Sequence, residues 1–309
     1  NSDIITKTNN MNLSYLTATK NKLPYLKRGL EKLIAEKKSD EEILVADGDS
    51  TDGTREYLAE LKSQGKIDYF VSEKDFGLAH ALNKLILTAH GSLLKYLSDE
   101  DVFDYNIIED CKTFMLSHPE VDLVNTEGGS LNNPSLKEKE INPIHIIRAL
   151  NYIEDYRKWQ KDHKPFYFCD LGVMFRRTSL PVIGGWNPSF PGPDIEFSLR
   201  ISAGKVNIAW YNSYSYVNIS NPQSVSLVYM KKTKKLTDRL SKFYFDKNPE
   251  PFIINKLKIL RNKIKHNLKS SNKKVSKEFS EQWPELVELS EKRIKIKNDQ
   301  KKPEFIWNK

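Results

Sequence analysis

An α/β fold with a mostly parallel, doubly wound sheet is predicted by three features of the sequence. Strand-like and helix-like patterns alternate four times between about residues 12 and 124, which calls for parallel strands joined by helical crossovers. The strand-like runs, such as Ile43–Ala46 and Leu93–Leu97, are nearly continuous in apolar residues, as strands covered on both faces must be. Polar turns rich in Asp and Gly follow those runs, at the sheet edge where α/β proteins gather ligands.

Taken in order, residues 1–10 are polar and are expected to be disordered. Leu13–Thr19 reads as the first strand, and Pro24 opens a helix whose inward face is Leu26, Leu30, Leu33 and Ile34. Ile43–Ala46 ends in Asp47-Gly48-Asp49-Ser50-Thr51-Asp52-Gly53-Thr54, a turn that caps the next helix, faced by Tyr57, Leu58 and Leu61. A third strand, Ile67–Val71, precedes a helix striped by Leu78, Leu82, Leu85, Ile86 and Ala89. The strand after Gly91 delivers Asp99, Glu100 and Asp101 to one point. Adjacent carboxylates repel unless neutralised, so either a divalent cation binds there or the acidic turn caps the helix beginning near Asp104. That helix carries Ile107, Ile108, Cys111, Phe114 and Met115, and Val121–Val124 is the next strand.

The pattern then loosens. Asn125–Pro143 reads as a loop and Ile144, Ile147, Leu150 and Ile153 as a helix. Phe166–Cys169 and Val173–Phe175 read as strands, Gly184-Gly185-Trp186 as a turn, Asp194–Ile201 as a short helix, and Val206–Trp210 and Tyr214–Ile219 as closing strands. Past Tyr229 the composition becomes Lys-rich and helical. The expected organisation is therefore a disordered segment 1–10, a catalytic domain 11–228 and a basic amphipathic helical region 229–309.

Composition narrows the function. The 309 residues are 39% hydrophobic, yet no apolar run approaches the roughly 20 residues that span a bilayer, and no signal pattern is evident at the start. The expectation is a soluble, cytoplasmic protein. Cys111 and Cys169 have no metal spacing and are expected to be free thiols. The net charge of +8 is uneven: from Tyr229 onward there are 23 Lys and Arg against 10 Asp and Glu, leaving 26 against 31 for residues 1–228. A basic tail beside an acidic catalytic half argues for a small substrate and a contacted surface rather than for nucleic acid.

Five blocks in order carry a resemblance: Leu-Thr-Ala-Thr (16–19), Ala-Asp-Gly-Asp-Ser-Thr-Asp-Gly-Thr (46–54), Asp-Phe-Gly-Leu-Ala-His-Ala-Leu-Asn-Lys (75–84), Leu-Ser-Asp-Glu-Asp (97–101), and the run from Val173-Met174-Phe175-Arg176-Arg177 through Gly184-Gly185-Trp186 to the helix Pro193–Arg200. Over roughly residues 12–220 they resemble the family 2 glycosyltransferases of the GT-A fold, whose sheet is Rossmann-like. The departures are Asp47-Gly48-Asp49 where the family often has adjacent aspartates, and Pro193 where a Glu is usual.

The resemblance implies a metal-dependent, inverting transfer of a hexose or N-acetylhexosamine from a nucleotide-sugar to a hydroxyl of a glycan or lipid-linked acceptor, in the synthesis of a bacterial-type surface polysaccharide or glycolipid. It places Thr17, Thr19 and Asp47 around the base and ribose, with Asp47 suited to a uracil N–H, so UDP is the first donor nucleotide. Asp75, Gly77 and Asp99 line the pyrophosphate side. In the DxD-like acidic loop Asp101 ranks first and Asp99 second as ligands of Mn2+ or Mg2+, hard cations that favour oxygen. Asp194 is implied as the general base, with Glu196 as runner-up and helix capping as the bland role for either. Trp186 is either an acceptor-stacking aromatic or a core anchor; His80 reads as structural or sugar-adjacent.

Two other functions fit the sequence less well. A sugar-phosphate nucleotidyltransferase would need a Gly-rich, basic loop after the first strand, which is absent. A basic nucleic-acid-binding protein would need aromatic residues regularly interleaved with the tail lysines, and those of the tail are not. The tail repeats Leu236, Leu240, Phe243 and Tyr244, then Ile253, Leu257, Leu260, Ile264 and Leu268, at helical spacing among cations. Such stripes either lie on an anionic membrane at the inner face of the cell membrane, or pack on the catalytic domain or a second subunit.

Overall fold

The structure is a computed structural model that describes residues 11–131, 147–149, 152–190, 192–219, 236, 239–240, 243–245 and 272–307. Ten strands form one sheet, in the order β10-β9-β6-β8-β4-β1-β2-β3, with β5 and β7 pairing off that path. Its nucleus is parallel: β1 (Leu13–Thr19) lies between β2 (Glu41–Asp47) and β4 (Leu93–Tyr96), and β3 (Tyr69–Ser72) flanks β2. Helices α1 (Leu23–Glu36), α2 (Thr54–Ser63) and α3 (Leu78–Thr88) make the crossovers. Every residue of β2 and β4 is buried, which accounts for the apolar run Ile43–Ala46 and the pair Leu93-Leu94 at their centres.

The turns at the carboxyl edge are bound to one another. Asp52 accepts from the backbone N–H of Leu23 at 2.9 Å and from Thr54 Oγ1 at 2.6 Å, so one carboxylate serves the starts of both α1 and α2. Asn21, at φ 52°, accepts from the Thr51 N–H at 2.8 Å. The loops after β1 and β2 therefore form one surface.

β8 (Met174–Arg176) enters antiparallel beside β4, and β6 (Leu123–Leu131) continues antiparallel beside β8. β9 (Ile208–Ile219) runs parallel to β6, and its far end pairs antiparallel with β5 (Val102–Phe103). Helix α4 (Tyr105–Ser117) lies between β5 and β6 in the chain; β7 (Ile147–Ala149) precedes α5 (Tyr152–Asp162), and α6 (Leu180–Ile183) and α7 (Pro193–Ala203) precede β9.

Several expectations change in this half. The stretch read as a loop from Asn125 is strand as far as Leu131, because pairing with β9 overrides the weak strand preference of Gly128-Gly129. A Cβ on Gly128 would lie 2.0 Å from the Tyr216 ring, so the glycine belongs to a close packing of the two strands rather than to a turn. Residues 132–143 lie outside the described residues. Part of the helix expected around Ile147 is β7, and the helix itself starts at Tyr152. Phe166–Cys169 forms no strand, and the two closing strands are one 12-residue strand with irregular register near Glu127.

The carboxyl-terminal residues join this same body. Helix α8 (Asn272–Asp299) buries Phe279, Trp283, Leu286, Val287 and Ile294 in a cluster with Tyr25, Val102, Leu131, Tyr214, Val217 and Ile219. β10 (Phe305–Ile306) then adds to the sheet edge, with Phe305 stacked 4.0 Å from Phe114 and from Tyr211. In the stripe from Leu236 to Tyr244, the Phe243 side chain is exposed. The stripe from Ile253 to Leu268 lies outside the described residues. Among the described residues no helix is long and apolar enough to cross a membrane. Both cysteines are free, as expected.

Candidate active site

The expected donor residues gather where β1, β2 and β4 end. Thr19 closes β1, and its hydroxyl donates to Asp99 at 2.8 Å. Thr17 is buried two residues earlier and lines, with Leu97, Ser98 and Asp99, a cavity between α1 and α8. Asp47 ends β2 with no exposed surface; it accepts from Ser72 Oγ at 2.6 Å and from the Ser50 N–H at 3.2 Å. The sequence reading set Asp47 against a uracil. In the structure its carboxylate also holds Ser50 and Ser72.

Asp75 accepts from the Gly77 N–H at 2.9 Å, and Gly77 has φ 111°, a conformation that a side chain would disfavour. A Cβ at Gly48 would stand 2.6 Å from an Asp75 carboxylate oxygen. The interrupted aspartate pair thus has a physical reason: Gly48 makes room for Asp75. Lys20 closes the same corner by donating to the Gly48 carbonyl at 2.6 Å.

In the acidic loop the three carboxylates part ways. Helix capping falls to Asp104, whose side chain accepts from the N–H groups of Asn106 and Ile107. Asp101 points at β9: it accepts from the Ile219 N–H at 2.7 Å, from Asn218 Nδ2 at 3.1 and 3.2 Å, and from Ser98. Burial nevertheless pushes its carboxyl up to about 6, against those donors. In this arrangement the Asp101 oxygens anchor the loop to β9. Asp99 and Glu100 instead converge on one cation, the Lys22 ammonium, at 3.4 and 2.9 Å.

Those two carboxylates fit a divalent cation of the hard, oxygen-seeking kind, since they already share a stand-in positive charge. Among the described residues no three His, Cys, Asp or Glu side chains form a cage, so further ligands would have to come from the substrate or solvent. Burial raises the Glu100 carboxyl above its ordinary range, with Asp99 and Asp101 adding to the effect and Lys22 opposing it. Burial alone would lower the Lys22 ammonium, yet Asp99 and Glu100 hold it above its usual value.

Asp194 sits in the first turn of α7 and accepts from the Tyr167 hydroxyl at 2.6 Å. Its carboxyl is raised by burial, with the tyrosine bond pulling the other way. Asp170 was missed by sequence reasoning. It is buried, accepts from Trp186 Nε1 at 2.9 Å, and is raised by burial and by the charge of Asp194. The available signal was one acidic residue inside the apolar run Phe166–Phe175. Lys22 was missed too, since lysines after a strand look like ordinary surface cations. Beneath the site lies Lys95, buried in β4 and lowered to about 8 by that burial; it donates to the Val173 carbonyl at 3.2 Å and to Leu171. The Tyr96 hydroxyl is held far from ionisation by burial, then by Asp170 and the loop carboxylates, so both groups act on one side chain.

The two residues expected on the acceptor side are both buried. Trp186 is 2% exposed and stacks on Phe197 at 5.2 Å, so it is a core anchor with no face for a sugar. Its backbone is gripped by Asn83, which accepts from the Trp186 N–H at 2.9 Å and donates to its carbonyl at 2.7 Å. Glu196 is buried against Arg200, accepting at 2.9 and 3.2 Å, while Arg200 also donates to the Gly185 carbonyl at 2.7 Å. That pair fixes the glycine turn. His80 packs on exposed Phe76, ring centroids 5.1 Å apart.

The sequence profile described as "Glycosyl transferase family 2" matches residues 14–183, which include β1 to β4, the acidic loop and α6. The chain belongs to this family. Membership in glycosyl transferase family 2 displaces the nucleotidyltransferase and nucleic-acid readings. The fold agrees with GT-A enzymes of known structure. Staphylococcus aureus TarS residues 1–349 in complex with UDP-GlcNAc is 14% identical, with TM-score 0.50, covering 69% of this chain and 60% of that one. The mannosyltransferase PcManGT of Pyrobaculum calidifontis, in complex with GDP-Man and Mn2+, is 17% identical, with TM-score 0.54, covering 78% and 66%. The family 2 chain described here thus spans less than two thirds of either neighbour. No curated protein matches it in sequence.

Proposed function

We propose that this glycosyltransferase is metal-dependent and inverting, and that it transfers a hexose or N-acetylhexosamine from a nucleotide-sugar to a hydroxyl of a glycan or lipid-linked acceptor in surface-polysaccharide synthesis. The observation that carries the reading is the convergence of Asp99 and Glu100 on one cation, the Lys22 ammonium, at the carboxyl end of β4, with Thr19 bonded to Asp99. UDP-sugars are the first donors to test because one fold neighbour is complexed with UDP-GlcNAc, and GDP-mannose is the second for the same reason.

Asp99 and Glu100 would hold Mn2+ or Mg2+, which when bound neutralises charge on the departing diphosphate. Thr19 orients Asp99, Asp101 ties the loop to β9, and Gly77 lets the donor approach the backbone. Asp194 takes the proton of the acceptor hydroxyl as that oxygen bonds to the anomeric carbon and the carbon–phosphate-oxygen bond breaks on the opposite side. Its raised carboxyl makes it a stronger base than a solvated aspartate. One displacement inverts the anomeric centre.

The test is a panel of UDP- and GDP-sugars with and without Mn2+ or Mg2+, read by thermal shift and by donor hydrolysis, followed by NMR of the transferred product. An α-linked donor should give a β-linked product. Retention of configuration would overturn the mechanism, and the absence of any response to the panel would overturn the donor assignment.

A further inference from the structure

The acidic loop carries its own counter-ion. Lys22 lies on the turn between β1 and α1, its side chain 18% exposed, and its ammonium bridges Asp99 at 3.4 Å and Glu100 at 2.9 Å. Its side chain caps nothing in α1; the helix start is served by the Lys22 carbonyl, which accepts from the N–H groups of Tyr25 and Leu26, and by Asp52. The charge of Asp101 adds to the field that holds the ammonium. Lys20, two residues earlier, is turned to the Gly48 carbonyl, so the two lysines have separate tasks.

We infer that Lys22 is a displaceable internal counter-ion, which a divalent cation must push away from Asp99 and Glu100 before it can bind. The inference rests on the proposed cation site. A cation arriving alone gains two carboxylates but must separate them from an ammonium already in place, and like charges at a few ångströms oppose each other. A cation arriving with a nucleoside diphosphate meets a different balance, because the diphosphate supplies negative charge to both the cation and the released ammonium. Lys22 therefore makes cation binding conditional on the nucleotide. By linkage the nucleotide gains affinity from the cation by the same factor.

The experiment titrates Mn2+ alone into the full-length protein at pH 8, followed by electron paramagnetic resonance, for the wild type, Lys22→Met and Lys22→Arg. Methionine keeps the apolar stem and removes the charge; arginine keeps the charge. Lys22→Met should bind Mn2+ on the order of tenfold more tightly than the wild type, the scale of one charge a few ångströms away in a partly solvated site, and Lys22→Arg should stay within about twofold. Adding UDP should tighten Mn2+ binding in the wild type and do so less in Lys22→Met. If Lys22→Met binds Mn2+ no better than the wild type, or if no variant binds it, the counter-ion role is overturned. Circular dichroism of each variant separates misfolding from that result, and a misfolded Lys22→Met is replaced by Lys22→Gln under the same criterion. Failure of UDP to bind any variant, with Mn2+ binding still tighter in Lys22→Met, would overturn the UDP assignment and leave the Lys22 role supported.

Discussion

The Trp283 indole N–H donates to the Glu100 carbonyl at 3.1 Å, joining α8 to the acidic loop across 183 residues of chain. The same ring meets Tyr25 edge-on with centroids 5.0 Å apart, and Tyr25 stands on the first turn of α1, three residues after Lys22. Trp283→Ala should destabilise the protein by about 3–5 kcal/mol, the usual loss for a buried tryptophan. Trp283→Phe should recover much of that stability while leaving the Glu100 carbonyl without its donor. Thermal unfolding and nucleotide binding, measured side by side, check this; a Trp283→Phe variant with a wild-type melting temperature and unaltered binding would show that the hydrogen bond is dispensable.

The sequence admits two readings of the tail, and α8 with β10 lies packed on the catalytic core. Removing residues 272–309 uncovers Tyr25, Val102, Tyr214, Val217 and Ile219 at once. The truncated protein is expected to aggregate on expression. Removing only 246–271 retains the residues of α8 and β10 and tests that segment's share of any lipid binding. Sedimentation of both the full chain and this internal deletion with anionic vesicles, at low and high salt, measures it: salt-sensitive binding lost with the deletion assigns the membrane contact to that segment, and equal binding by both assigns it elsewhere.

With Asp194 as the proposed base, Asp194 and Tyr167 should set the pH dependence. The base works when deprotonated, and burial has raised its pKa, so activity should fall as pH drops through that raised value. The Tyr167 hydroxyl stabilises the carboxylate and holds the value down. Tyr167→Phe should therefore move the acid limb of the kcat/KM profile to higher pH without abolishing transfer. Asp194→Asn should bind donor normally and lose transfer by about 10² or more. An acid limb that moves to lower pH in Tyr167→Phe would contradict this arrangement.

Glu196 and Arg200 make a structural test. Glu196→Ala leaves Arg200 with the backbone carbonyls of Ile183 and Gly185 and the Phe197 ring but without its carboxylate, and is expected to cost about 1–3 kcal/mol after allowance for the partial exposure of the arginine. Glu196→Gln retains an acceptor and should keep most of the stability. Activity per folded molecule should remain within a few-fold in both, as measured by active-site titration alongside denaturant unfolding. A selective rise in acceptor KM would return Glu196 to the acceptor side.

Gly128→Ala places a methyl group where the Tyr216 ring now lies, 2.0 Å from the nearest ring atom. Backbone and ring must both shift, at about 1–3 kcal/mol or more. Gly65 offers the internal comparison on space alone, because no atom lies within 4 Å of its Cβ position, although its φ of 67° adds strain of its own. Chemical denaturation of the Gly128→Ala variant reads the effect directly; a wild-type midpoint would mean that β6 and β9 can separate locally without penalty.

The parallel half of the sheet was legible because its information is local. Unbroken apolar runs, helical stripes and Asp-Gly turns identify β1 to β4 and α1 to α3 within a few residues. The second half was less legible because it depends on distant partners. Gly128-Gly129 has the composition of a turn and becomes strand because Tyr216 and Val217 of β9, far along the chain, pair with it. The carboxylates show the same division. Their clustering was visible in sequence, but the orientation that gives Asp101 to Ile219 and Glu100 to Lys22 is set by β9 and α1. Trp186 followed a glycine pair that suits an exposed turn, and its burial comes from Phe197 and Asn83.

Asp52, whose one carboxylate serves the first turns of both α1 and α2, has a consequence for motion. Leu23 and Thr54 bond to the two oxygens of one carboxylate, so the loops after β1 and β2 should breathe as a coupled unit. Lys22 and Ser50 ride on those two loops. A donor that quiets one loop would thereby slow hydrogen exchange in the other, including at amides it never touches.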